Sequence, residues 1–132
     1  MRAYLPITPQ GLQEFLNGGS FRAAQAFIVD PMFSAEGVTA SDDQEELEFE
    51  VSWDAAVRSR EMQPADPKAK GFVLALDIEE GQISHAQGNE VTLLSEISWP
   101  QVQSLLLSES EELELSWFAP QEIPTYLPQW LA

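Results

Sequence analysis

Phe72-Val73-Leu74-Ala75-Leu76-Asp77-Ile78 is the longest nearly unbroken apolar run in the chain, closed by Gly71 on one side and Glu79-Glu80-Gly81 on the other. A strand with one wet face alternates apolar and polar residues, whereas one covered on both faces does not. The run is therefore expected as a fully covered strand at the centre of a sheet, with helices packed against it.

Working outward, Arg2 to Ile7 alternates and reads as a first strand. Thr8 then suits an N-cap and Pro9 a first helical position, where the missing N–H costs nothing. Leu12, Phe15 and Leu16 follow at helical spacing, and Gly18-Gly19 supplies a left-handed stop. Ala24 to Val29 reads as a second strand, with helix as the competitor. Asp30-Pro31 repeats the cap-then-proline signal and is expected to open a short helix ending at Gly37.

Ser41-Asp42-Asp43-Gln44 has the form of a capping box. The residues after it fit two patterns. Leu47, Phe49, Val51 and Trp53 alternate as in a strand, while Phe49, Trp53, Ala56, Val57 and Arg60 share one helical face. The cap and the length favour one long helix over 42–62. A connector over 64–70 leads to the central strand.

Beyond Gly81 come an extended piece over 82–86, a turn at Gln87-Gly88-Asn89 and a strand over 91–94. Trp99-Pro100 reads as the start of a short helix with Val102, Leu105 and Leu106 inward, although Leu105–Leu107 fits a following strand equally well. Glu112 to Phe118 alternates as a strand with one wet face, and the tail past Pro120 as a short helix and packed end. The sum is a single α+β domain over 1–132: a mixed β-sheet packed by one long and two or three short helices.

Composition bounds what such a domain does. The 132 residues carry 22 Asp+Glu against six Lys+Arg, a net charge of −16, where about 2–8 in magnitude is usual for a small domain. No lysine or arginine follows Lys70. Such a field repels phosphate and anionic lipid, so direct nucleic-acid and membrane binding are not expected. It serves as a solubilising surface, as a face for a basic partner protein, or as a mimic of nucleic acid. Cysteine is absent, which excludes disulfides and thiolate chemistry and fits a cytoplasmic location. No apolar run approaches the roughly 20 residues of a membrane span.

The opening Met-Arg-x-Tyr-x-Pro-x-Thr, here Met1 to Thr8, resembles an uncharacterised actinobacterial family of small proteins. Ala35-Glu36-Gly37, Asp43 to Glu48, and Trp117-Phe118 with Gln121-Glu122 look like later marks of that family. The resemblance implies helical character for 41–62, where this chain departs by having Phe49, Val51 and Trp53 in place of small residues. It implies no activity, ligand or catalytic residue.

The sole histidine, His85, is a conceivable general base with Asp77, and Arg2 a third member of such a site. Against this, Asp77 ends a strand, where it accepts hydrogen bonds from the next turn or pairs with Arg2 on a neighbouring strand. The run from Asp42 to Glu50 lacks the alternate ligands and bend glycine of a cation loop, so no metal and no cofactor are expected. Four tryptophans stand at 53, 99, 117 and 130, and most belong to the core. The late aromatic segment, Trp117, Phe118, Glu122, Tyr126 and Trp130, is the candidate interface. No nucleotide fingerprint, zinc spacing or Ser-His-Asp order is present. The leading expectation is a non-catalytic acidic domain acting through protein contacts. The alternatives are a small-molecule-binding domain or small enzyme near Asp77/His85, and an acidic nucleic-acid mimic.

Overall fold

A computed structural model describes residues 2–22, 25–29, 41–63, 69–87, 89–109 and 114–131. The expected helix between Asp30 and Gly37, the Gly88 turn position and most of the 64–70 connector lie outside that set. So do the side chains of the Ser41–Gln44 capping box.

Two strands make the axis of the molecule: β1 (Arg2–Ile7) and β4 (Gly71–Asp77) pair antiparallel from Arg2↔Asp77 to Ile7↔Phe72. Around them a seven-stranded sheet runs in the order β5-β6-β3-β1-β4-β8-β9. Here β3 is Gln25–Phe27, β5 Ile83–Gln87, β6 Glu90–Leu93, β8 Val102–Ser108 and β9 Ser116–Phe118. Two further strands, β2 (Ser20–Phe21) and β7 (Ile97–Ser98), form a small ladder of their own. The expected α+β class holds, with one long and two short helices among the described residues. The sheet, expected to be mixed, is antiparallel at every pairing among them. Parallel neighbours need long crossovers, and the residues between these pairs go instead into hairpins and into helices that return beside β1 and β4.

The central strand is covered on both sides. Phe72, Leu74 and Leu76 join Leu5 and Ile7 in a core closed by α1 (Pro9–Gly18) and by the C-terminal helix α3 (Ile123–Leu131). Val73 and Ala75 join Tyr4 in a smaller core beneath the long helix α2 (Ser41–Glu61). The start of α1 is as the sequence dictates: the Thr8 hydroxyl accepts from the Gly11 amide at 3.1 Å, and Gly19 takes φ 75° after the last turn. Trp99 then meets Phe15 edge-on at 5.1 Å, fastening α1 to the β7 side of the molecule.

Two expectations are corrected. Trp99–Gln101 forms only a single 3₁₀ turn, and Val102 to Ser108 is strand β8 rather than helix. The register explains the misleading spacing. Leu76 pairs with Val102 but Ala75 with Ser104, so Gln103 is an extra residue in the strand. That bulge turns Val102 to the same side as Leu105, and an i, i+3 apolar pair results without a helix.

The second correction concerns α2, whose buried side is Val51, Ser52, Ala55, Ala56 and Ser59. Of the expected shared face, Phe49 and Val57 are exposed, Trp53 and Arg60 lie on a flank, and Ala56 alone is buried. Close approach decides this. A Cβ on Gly71 would stand 2.6 Å from the Ala56 carbonyl oxygen, so the helix backbone rests directly on β4 and only small residues fit between. Ser59 completes the seam, donating to the Ile7 carbonyl at 2.6 Å and accepting from the Phe72 amide at 2.9 Å.

Candidate functional site

Two places gather the residues singled out from the sequence. The first is a concave space of about 530 Å³ at the Asp77 end of β4, lined by Asp77, Ile78, Glu79, Gln82, Gln101 and Gln103 together with Ser98 and Pro100. Its wall is a clasp of two amides. Gln101 donates to the Asp77 carbonyl at 3.0 Å and to Gln82 Oε1 at 2.8 Å, while its own oxygen accepts from the Ser98 amide at 2.9 Å. Gln82 in turn accepts from the Glu79 amide at 2.9 Å. These amides are spent on one another, which leaves carboxylates as the charged groups on the lining. The Gln103 bulge opens onto the same space.

Of the sequence-based trio, Asp77 is among the described lining residues. The register does set Arg2 opposite Asp77 on the neighbouring strand. Arg2 also hydrogen-bonds the phenol of Tyr4, whose pKa burial raises, with Glu48 adding to the rise. His85 lies on β5, the outermost strand, with β6, β3 and β1 between it and β4. Its side chain is outside the described set. Among the described residues no group of three or more His, Asp or Glu is placed to hold a metal ion, and no helix is long and apolar enough to cross a membrane.

The second place is the opposite edge of the sheet. β9 is the last strand and pairs only with β8 among the described residues. The late aromatic residues divide across it. Phe118, Tyr126 and Trp130 cluster on the α3 side, with Phe118 5.1 Å from Tyr126 and 5.3 Å from Trp130. Trp130 also reaches Phe72 at 5.5 Å, so this group is largely an extension of the main core. Glu122 is occupied within the chain, its carboxylate accepting from the Ala119 amide at 2.9 Å and fixing the turn into α3.

Trp117 is different. It pairs with Leu106, which pairs with Val73 of the α2-side core, so Trp117 stands on the α2 side of the sheet. It is 62% exposed, the largest exposed apolar side chain described. Leu106 and Leu115 lie half-buried beside it. The flank of α2 that carries Trp53 turns toward the same edge, because Arg60 lies over Trp53 at 5.9 Å and is hydrogen-bonded to Ser108 at the end of β8. Phe49, one turn before Trp53, is 39% exposed on that flank. Sequence reasoning placed Trp117 in the interface but not Phe49 and Trp53, which it read only as sharing one helical face with Ala56. The small residues Ser52, Ala55 and Ser59, left off that face, were the signal for the side that turns inward.

Fold and surface together define a layered α+β protein with a carboxylate-lined pocket at one end of its central strand and an aromatic free edge at the far side of its sheet. Residues 1–112 match the model of a family of unknown function, DUF6912, and the chain belongs to that family. Neither the curated proteins nor the solved structures gave a significant match.

Proposed function

We propose that this chain is a non-catalytic, single-domain module that works by protein contact in the cytoplasm, with the β9 edge as its contact surface. The carrying observation is Trp117, exposed on a strand whose outer side pairs with nothing among the described residues. Interfaces concentrate such aromatic residues at their centres, and an open sheet edge offers backbone groups to a partner. Acidity favours a basic partner, and the lack of cysteine supports the cytoplasmic placement. The opening Met1 to Thr8 supports an actinobacterial lineage.

A photo-crosslinking side chain placed at position 117, and separately at the exposed Val57 as control, tests this in source cells. A discrete adduct from 117 that is absent from 57 is the expected result. Identical patterns from the two sites, or no adduct from either, overturn it.

The second reading is a small-molecule site or small enzyme around Asp77, with Arg2 and His85 as its further members. The pocket and its strand bulge favour it, since bulges recur beside binding sites. A saturable thermal shift with a metabolite, lost in Asp77→Ala, would put it first. Nucleic-acid mimicry rests on Glu46, Glu50 and Asp54, one turn apart along the exposed side of α2. That row ends at Arg58, which pairs with Glu90 at 3.1 Å.

A further inference from the structure

We infer that the β9 edge takes an extended, basic segment of a partner chain as an added strand, with lysines or arginines on the α2 side and apolar residues on the α3 side. This rests on the protein-contact reading above and specifies its partner.

Strand addition needs an unpaired edge, and β9 supplies one among the described residues. An added strand would send alternate side chains to the two faces of the sheet. On the α2 side they would meet the exposed ring of Trp117, with Phe49 and Trp53 on the adjacent helix flank. On the α3 side they would meet Phe118 and Tyr126, whose rings already pack together at the sheet margin.

Charge selects the occupant. From Trp99 to Ala132 the chain carries Glu109, Glu111, Glu112, Glu114 and Glu122 and no lysine or arginine. Glu109 and Glu114 are exposed just beyond β8 and just before β9. Across the flank, Glu46 shares the exposed side of α2 with Trp53, seven residues on, and Glu50 follows it by one turn. Of the cations near this edge, Arg60 is engaged by Ser108 and Trp53, and Lys70 stands exposed just before β4, with β8 between that strand and β9. An aromatic face set among carboxylates attracts a lysine or arginine twice over, through the ring quadrupole and through the surrounding field. The same field opposes a second copy of this chain, since edge-to-edge pairing would bring two acid-only segments together. Cations on one face and aliphatic groups on the other are therefore what this edge complements.

Three synthetic octapeptides test the inference with the full chain: alternating Lys-Val, alternating Glu-Val, and Lys-Val with every backbone amide N-methylated, so that neither edge of the peptide can donate. Titrations are followed by backbone-amide NMR and by tryptophan fluorescence at 50 and 300 mM salt. The Lys-Val peptide is expected to bind, to shift the amides of Ser116–Phe118 most, and to weaken at least tenfold in high salt. N-methylation should weaken it at least tenfold, Trp117→Ala several-fold, and the Glu-Val peptide should not bind. Equal binding of the N-methylated or acidic peptide, shifts centred away from β9, or no binding by any peptide each overturns the inference. If the peptides fail while position 117 still yields its specific crosslink, the contact surface stands and only strand addition falls. If both fail, the protein-contact reading falls with it.

Discussion

Ser59 ties three elements together through one hydroxyl. Its hydroxyl is fully buried and bridges the Ile7 carbonyl and the Phe72 amide, joining α2 to both axial strands at once. In Ser59→Ala, a buried donor and a buried acceptor lose their partner. The expected cost is about 1–3 kcal/mol, or roughly 4 °C of Tm per kcal/mol for a chain of this size. Thermal unfolding of the purified variant checks this, and an unchanged Tm would mean that the seam is held by packing alone. Gly71 carries the matching constraint on the strand side, because any Cβ there meets backbone and not a side chain that can rotate away.

At the scale of elements, the sequence was most legible where one physical cause dominated. The two-sided cover of Phe72–Ile78, the Thr8 cap and the Gly19 stop all follow from local chemistry, and the structure repeats them. The late helix failed because a single bulged residue, Gln103, reproduced helical spacing inside a strand. The expected face of α2 held only at Ala56, because large apolar residues were weighed above small ones, whereas contact with Gly71 admits only the small. The pocket was out of reach from the sequence apart from Asp77, since its wall brings together Gln82 and Gln101 from separate turns. The outer side of α2 also invites a prediction. Burial, and then Glu50 one turn before it, raise the pKa of Asp54. A raised folded pKa means a contribution to stability that is full below the unfolded value and lost as pH rises through the folded one. At neutral pH the Asp54 charge is thus a cost. Asp54→Asn is expected to stabilise by about 0.2–0.5 kcal/mol, the size of a like-charge pair one turn apart. The gain should shrink as pH falls below the carboxylate range. Urea midpoints at several pH values decide it, and a loss of stability at pH 7 would contradict the assignment.

For the whole molecule the net charge of −16 sets the terms. Self-repulsion opposes the compact state, and salt screens it as the Debye length falls from about 30 Å at 0.01 M to about 10 Å at 0.1 M. Tm is therefore expected to rise by several degrees over that interval, whereas a flat or falling Tm would show that the acids are already neutralised within the fold. The same repulsion opposes pairing of β9, an edge strand among the described residues, with a second copy of itself, which is one way an edge strand is protected. Exposure at that edge has an optical consequence too. Trp53, Trp99 and Trp130 are half-buried among other groups, while Trp117 faces solvent. Its emission is expected at the red end of the protein's spectrum, and the exposed Glu114 stands just before its strand. The chain thus carries its own reporter: a cationic quencher such as caesium reads the edge, and an anionic one such as iodide is turned away from it.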